Sequence, residues 1–465
     1  MVDFSLKLSP SVPTLQHGCF YLAVWGCQMN VYDAGCLRSL MLASGFAEVS
    51  SPREAEVVIL ITCAVRAKPE NKVINQLAAW KHQGQISSRT IIALGGCIGS
   101  EYAEELLHPD RGISIVFGPA TAHRLPELIS RFRTEGQPLA RVSAPSLEKF
   151  SCIPPVRKSG PAAFVTIMEG CSNKCTYCIV PYTRGAEVSR PLGDILKECR
   201  AKIAAGALEI HLLGQNVNSY RGDGGEGGEC DFASLLYEVA ALPGLKRLRF
   251  TTSNPMEFSD DIVRAVGELP VIADSIHIPV QSGSDRILQR MHRRYTAASY
   301  LELAAKLRQA RPGVLISSDF IVGFPGETAS DFEDTLKLVN AIKFDQSFSF
   351  IYSKRPGTPA SEYADPVTLA DKKQRLYRLQ QRLEELAASY SRSFVGTVQR
   401  VLVEGISKRD PGELRGRTSS NRIVVFRGEP DKVRGMAEVK ITGVAAHTLK
   451  GELAGTNTST PGGEQ

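Results

Sequence analysis

The chain has 465 residues, 43% hydrophobic and 22% charged, with a net charge of +6. That length excludes a single compact domain and calls for two to four, and the composition is ordinary for a soluble globular protein. The opening MVDFSLKLSPSVPTLQHG holds no apolar core of signal-peptide length. The longest apolar run, 57–61, is far too short to span a membrane, so the chain reads as cytoplasmic with no membrane partner. Between residues 396 and 451 there are eleven Lys/Arg against six Asp/Glu, so nearly all the excess charge lies near the C-terminus. Such a local excess points to a polyanionic partner or to a solvated basic face.

In chain order, FYLAVW (20–25), EVVILIT (56–62), TIIALG (90–95) and SIVFGP (114–119) carry the β-branched and aromatic residues of strands. Helical patterns at 32–43 and 70–81 separate them, which predicts an α/β domain with a parallel sheet. The Pro- and Ser-rich stretch 136–160 reads as a linker. Six further strands are expected at 163–169, 208–214, 245–252, 275–281, 314–323 and 346–353, with helices at 194–204, 260–269 and 297–310 among them. Six βα units fall short of the eight that close a barrel, so a partial (βα)6 barrel with an open side is predicted. A charged helix at 371–394 leads to short β-patterned runs broken by Gly, an all-β barrel or sandwich. The last residues read as a disordered tail.

Eleven cysteines in a reducing compartment are poor candidates for disulfides. Patterned ones point to metal or catalysis, unpatterned ones to packing. Cys171, Cys175 and Cys178 form C-x3-C-x2-C directly after the first barrel strand. Three thiolates so close repel unless a cation neutralises them, as an iron–sulfur cluster does. A structural zinc site would want a fourth ligand nearby, and none follows. Three ligands on a four-iron cluster leave one iron open, at the strand end where barrels place their chemistry. Cys27, Cys63 and Cys97 are 36 and 34 residues apart, yet each follows a predicted parallel strand, as W-G-C, I-T-C and G-G-C. Taken singly they are buried hydrophobes; taken jointly, strand ends of one sheet would bring them together as a second set.

The first set resembles the radical S-adenosylmethionine (SAM) superfamily. Two three-cysteine sets followed by a basic β-domain are similar, more narrowly, to the methylthiotransferase family, over about residues 18–451. The strings GCQMN (26–30), CIVPYTRGAEVSRP (178–191), LLGQNVNSY (212–220), PVQSGSD (279–285), DFIVGFPGET (319–328), RPGTPA (355–360) and GRTSSNRIVVF (416–426) carry the likeness. Trp25, Ile61 and Asn254 depart from the family's usual Phe, Asn and His. None of the three is a cluster ligand.

The resemblance implies a methylthiotransferase domain over 18–135, a linker over 136–160, a radical-SAM core over 161–390, a TRAM domain over 391–452 and a disordered tail over 453–465. It implies two [4Fe-4S] clusters, one on Cys27, Cys63 and Cys97, the other, catalytic, on Cys171, Cys175 and Cys178, with SAM on the open iron of the latter. The reaction implied replaces the C2–H of N(6)-isopentenyladenosine, at position 37 of tRNA, with a methylthio group. Implied partners are the tRNA anticodon stem-loop, an electron donor such as flavodoxin, and a sulfur donor. Gln215, Asn216, Gln281 and Ser282, at or beyond predicted strand ends, are candidates to bind SAM; Arg415, Arg417 and Arg422 are candidates for tRNA phosphates. Other readings are a relative acting on a ribosomal-protein aspartate, one acting on threonylcarbamoyl-adenosine, and an iron–sulfur RNA-binding regulator without turnover.

Overall fold

The computed structural model describes residues 18–63, 67–142, 148–152, 159–225, 227–252, 254–446 and 448–455. Their packing defines two compact units. The first gathers the described residues before Pro155 with Glu169–Ser172 and Ile179–Val188; the second holds those of Val156–Met168, Asn173–Cys178 and Ser189–Gln465.

In the first unit, β1 (Cys19–Val24), β2 (Ala47–Glu48), β3 (Val57–Thr62), β4 (Ile91–Gly96), β5 (Ile115–Phe117) and β6 (Leu139–Arg141) form one sheet in the order β2-β1-β3-β4-β5-β6. Every neighbouring pair is parallel. Strands β3 and β4 are buried along their whole length, which is why both read as unbroken apolar runs. One face packs on helices Gln28–Ala43 and Leu125–Glu135 through Leu37, Met41, Leu128 and Ile129. The other packs on helix Ala67–His82 through Val73, Leu77 and Trp80. The sheet is thus doubly wound, and its order reverses between β1 and β3, the point where such sheets place a site beyond the strand ends. Sequence periodicity predicts four of the six strands. The remaining two are edge strands of two and three residues, too short for an alternation to register. Strand β6 and helix Glu148–Ser151 also lie inside the expected linker, whose residues 143–147 and 153–158 fall outside the described residues.

In the second unit, parallel strands follow one another at Ala162–Thr166, Glu209–Leu213, Arg247–Phe250, Ser275–His277, Leu315–Ser317 with Asp319–Val322, and Phe348–Ile351. Isolated parallel bridges Thr251–His277 and Gln281–Phe320 carry the succession across its gaps. Among the described residues the first and last strands do not pair, so this is a partial six-strand barrel. Ile210, Leu212, Leu248, Ile276, Ile316, Phe320 and Val322 pack outward on the helices. The expected strand 314–323 is broken at Ser318. The hydroxyl of Ser347 accepts from its N–H at 2.9 Å, and its own hydroxyl accepts from Val280 N at 2.8 Å, so Leu315–Ser317 and Asp319–Val322 serve different neighbours. A hairpin, Arg221–Gly225 with Gly228–Asp231, went unpredicted because its strands are mostly Gly and charge.

Helix Leu369–Ser393 leads into a closed five-strand barrel of Val398–Ile406, Glu413–Arg417, Ile423–Arg427, Met436–Ala445 and Thr448–Leu453. Val401, Val403, Leu414, Val424, Phe426, Val439, Ile441 and Leu449 fill it. It is seated under the first strands of the larger barrel. Arg247 donates to the carbonyls of Arg417 (3.1 Å), Thr418 (3.3 Å) and Arg400 (3.0 Å), and Arg249 to that of Thr418 (2.8 Å). Glu209 pairs with both guanidiniums. Residues 456–465, where most of the expected tail lies, fall outside the described residues. No helix among the described residues is long and apolar enough to cross a membrane.

Candidate functional site

Cys27 lies three residues past β1, and Cys63 and Cys97 immediately follow β3 and β4. Because these three strands are neighbours in register, Val24 beside Ile61 and Thr62 beside Gly96, the thiols converge although they are far apart in sequence. Cys63 is hydrogen-bonded to both Cys27 and Cys97. Two glycines permit the approach. Gly26 (φ +133°) and Gly96 (φ +92°) adopt conformations that a side chain resists, and a Cβ on them would stand 2.6 Å from the Cys63 Cβ and 2.3 Å from the Thr62 carbonyl oxygen.

The charge around these thiols is set by groups that the sequence reading did not single out. Arg184 ends the short helix Val180–Arg184 and is 5% exposed. Its Nε donates to the Cys97 sulfur at 3.4 Å, one terminal nitrogen to Glu169 at 2.8 Å, and the other to Asp33 at 2.9 Å and Asn30 at 3.3 Å. Buried Lys149 closes the circuit on Asp33 (3.2 Å) and on Glu169. Hydrogen bonding to Cys63, reinforced by the Arg184 charge against the cost of burial, pulls Cys97 down to about 5. Bonding to Cys63, with help from the Arg184 charge, takes Cys27 down to about 7, although Cys27, unlike buried Cys63 and Cys97, is solvent-exposed and so is not the buried hydrophobe expected of it singly. Cys63, bonded to both neighbours and buried, is pushed up and keeps its proton. Three converging thiols beside a guanidinium suit an iron–sulfur cluster, which spreads its thiolate ligands around several metals. No group of three or more His, Cys, Asp or Glu among the described residues is placed to hold a single metal ion.

Of the second cysteine set, Cys171 belongs to the first unit and Cys175 and Cys178 to the other. The Cys171 N–H donates to the Gly185 carbonyl at 3.0 Å. Gly170 before it (φ +78°) leaves 1.9 Å between a would-be Cβ and the Ala186 carbonyl oxygen, so the E-G-C string requires its glycine. In the second unit the Cys178 N–H donates to the Cys175 carbonyl at 3.1 Å, closing a tight turn. Thr176, inside that turn, bonds the Met291 and Arg290 carbonyls through its N–H and hydroxyl, and its own carbonyl accepts from Ala360 N. Tyr177 packs edge-on against Phe324 and accepts from Arg293 at 3.0 Å. Burial holds the Tyr177 phenol well up in its protonated form. This anchoring explains the proximity of RPGTPA to the cysteine loop.

Asn216 is fully buried after Glu209–Leu213 and donates to Glu257 at 2.5 Å; Asn173 donates to the other Glu257 oxygen at 3.4 Å. Glu257 sits on a short turn whose cap is Asn254, one of the three residues that depart from the family pattern. Gln215 precedes Asn216 at the strand end, partly exposed. Gln281 holds φ +70°, uncommon for a side-chain-bearing residue and frequent where a site constrains the backbone. Ser282 is fully buried, and its hydroxyl is engaged by Thr335 and by the Ser284 N–H, so any role toward a cofactor passes through the turn it braces.

The three candidate arginines separate. Arg415 and Arg417 share Glu404 (3.8 and 2.9 Å) and keep about a third of their side-chain surface exposed, at 38% and 31%. Arg422 is buried instead. It makes a two-pronged ion pair with Asp345 at 2.8 and 2.6 Å, donates to Ser391, and stacks over Phe394. Its fork is spent inside the protein, which makes it an internal tie and not the RNA contact expected of it; nothing in the sequence distinguished it from its exposed neighbours.

Comparison with known proteins adds an independent line. Residues 165–339 match the model described as Radical SAM superfamily, 19–118 the Uncharacterized protein family UPF0004, and 392–454 the TRAM domain. The chain is 49% identical over 437 residues to the tRNA-2-methylthio-N(6)-dimethylallyladenosine synthase of Haemophilus influenzae (strain PittGG), covering 94% of this chain and 92% of that protein. It is 50% identical, with the same coverage, to that of Histophilus somni (strain 129Pt). Among solved structures, the radical S-adenosylmethionine methyltransferase TsrM from Kitasatospora setae, with cobalamin and a [4Fe-4S] cluster bound, shares the fold at a TM-score of 0.53 and 14% identity, over 74% of each chain.

Proposed function

The chain belongs to the tRNA-2-methylthio-N(6)-dimethylallyladenosine synthase family within the radical SAM superfamily, and from that premise we infer that it replaces the C2–H of N(6)-isopentenyladenosine in tRNA with a methylthio group. The observation that carries the reading beyond a generic radical enzyme is the second thiol set, Cys27, Cys63 and Cys97, gathered beyond the carboxyl ends of β1, β3 and β4. An aromatic C–H is too strong and too weakly acidic for removal by a side-chain base, so the reaction needs a radical, and the inserted sulfur needs a second metal site.

Cys171, Cys175 and Cys178 would hold a [4Fe-4S] cluster with an open iron for SAM, and Cys27, Cys63 and Cys97 a second cluster. When bound, these groups supply an electron that cleaves SAM to a carbon radical, and a sulfur to be methylated and transferred. The protein's own residues hold and orient. Thr176 and Tyr177 lock the Cys175–Cys178 turn against Arg290–Met291 and Phe324. Asn216 and Asn173 fix Glu257; Gln215, Asn216 and Gln281 would hold SAM, with Ser282 bracing the turn after Gln281. Arg415 and Arg417 offer their exposed forks to phosphates, a positioning role without base specificity. The target base must leave its stack to react, as with other base-modifying enzymes. The substrate region is the anticodon stem-loop at position 37, the compartment the cytoplasm, and the remaining partners an electron donor such as flavodoxin and a sulfur donor.

The test is anaerobic reconstitution with iron and sulfide, then SAM, reductant and isopentenylated tRNA, with mass spectrometry of the digested nucleosides. A methylthio mass gain on isopentenyladenosine is expected. A gain only on threonylcarbamoyl-adenosine or on ribosomal protein would overturn the assignment.

A further inference from the structure

One cluster of buried charge lies next to the N-terminal thiols and is not accounted for by the reaction. Arg184, Lys149, Asp33 and Glu169 form two cations and two anions, each at most 8% exposed, linked by four hydrogen bonds. Asn30 is the fifth member, fully buried, and it lies within 3.9 Å of the Cys27 sulfur. Burying four charges is costly, and replacing such a group with apolar residues is often neutral or stabilising, so stability alone does not explain this one. What an apolar core would lack is a charged contact to a thiol: the Nε–H of Arg184 on the sulfur of Cys97 at 3.4 Å. The guanidinium is planar, and with both terminal nitrogens fixed by Glu169 and Asp33, its Nε–H direction is fixed as well.

We propose that Arg184 is a positioning residue for the N-terminal iron–sulfur site, aiming a charged N–H at the Cys97 sulfur and so setting the reduction potential of the group held there. Glu169 and Asp33 aim the guanidinium, and Lys149 offsets their charge so that the Arg184 charge stays available to the sulfur. Hydrogen bonds to ligand sulfurs and net local charge are the means by which a protein tunes such a potential. A cation donating to the sulfur favours the reduced, more negative state. The proposal rests on the reading that Cys27, Cys63 and Cys97 hold a cluster. Glu169 stands two residues before Cys171 and Arg184 six after Cys178 in the sequence, so the segments that flank the second cysteine loop supply the tuning of the first set.

The experiment uses the full chain carrying Cys175→Ala, which leaves one cluster site, reconstituted anaerobically. Iron and sulfide are counted and the midpoint potential is measured with Arg184, with Arg184→Lys, and with the charge-balanced pair Arg184→Gln and Glu169→Gln. Arg184→Lys keeps the charge but loses the planar fork that aims the Nε–H. The potential should fall in the balanced pair by about tenfold in the reduced-to-oxidised ratio, roughly 59 mV for a one-electron couple. Arg184→Lys should fall between. Loss of iron from a variant that keeps its native circular dichroism also supports a positioning role. Equal potentials at equal iron content in all three proteins would overturn it. Absence of a cluster already with Arg184 in place would instead overturn the reading beneath it.

Discussion

The two cysteine sets are built in opposite ways. Cys171, Cys175 and Cys178 are neighbours in sequence and need only a loop, braced in its second half by Thr176 and Tyr177. Cys27, Cys63 and Cys97 are brought together by strand order and two glycines, and they stand beside a buried network of ion pairs. A loop-borne set tolerates change elsewhere in the sheet, whereas a sheet-borne set depends on every glycine that lets the strands end close together. Substitution of one member from each set gives the largest effects. Cys175→Ala should abolish 5′-deoxyadenosine release from SAM altogether. Cys63→Ala should leave that release in place and abolish methylthio insertion, both read by mass spectrometry; insertion that survives Cys63→Ala would break the contrast.

Next in size is a tie that the sequence disguises. Arg422 looks like one more basic residue of the C-terminal β-domain, but it is the buried partner of Asp345. Arg422→Ala leaves that carboxylate uncompensated and should cost about 3–5 kcal/mol, seen as an earlier urea transition of the C-terminal barrel. Arg415→Ala and Arg417→Ala should barely move that transition. They should instead weaken tRNA binding and lower the salt slope of log K by roughly 0.7–0.9 per contact, measured by filter binding at several salt concentrations. An unchanged slope in both would remove the small barrel's exposed arginines from the interface.

Much of this was legible because it is periodic or local: the apolar runs of β3 and β4, the helices, the C-x3-C-x2-C spacing. The dispersed set was legible only through its placement after successive strands. What stayed hidden depends on tertiary proximity. Asp33, Lys149 and Glu169 are single charges with no spacing between them. Arg184 lies within CIVPYTRGAEVSRP with no sequence feature that gives it a role. Ser282 resembled a strand-end polar group but bonds Thr335 behind the strand, and Arg422 resembled a surface charge. In each case the residue type was readable and its direction was not.

A smaller effect tests the strand-end geometry. Gly96→Ala places a Cβ 2.3 Å from the Thr62 carbonyl oxygen at a φ of +92°. Overpacking of this kind costs about 1–3 kcal/mol and should displace Cys97, so iron bound per chain should fall at the N-terminal site while Gly136→Ala, with open space around its Cβ, retains it. Equal iron in both variants would show that the sheet edge tolerates movement the structure argues against.

The last contrast is in protonation, and its sign follows from directions within the N-terminal set. In the metal-free protein Cys27 is lowered to about 7 and Cys97 to about 5, below the roughly 8.5 of an unfolded thiol. Each therefore contributes stability that is fully present above the unfolded value and lost as pH falls through about 7 and then about 5. Cys63 is raised, so its contribution is present below the unfolded value and fades as pH rises past it. The three together predict a stability maximum near the pH at which an unfolded thiol titrates. The measurement is the difference in urea midpoint, from pH 5 to 10, between metal-free protein and its Cys27→Ser, Cys63→Ser, Cys97→Ser triple variant. Taking the difference removes the carboxylates and histidines common to both. A difference that is flat across this range would mean that the three thiols do not share their protons, and with that the sheet edge would lose the feature that sets it apart from the loop.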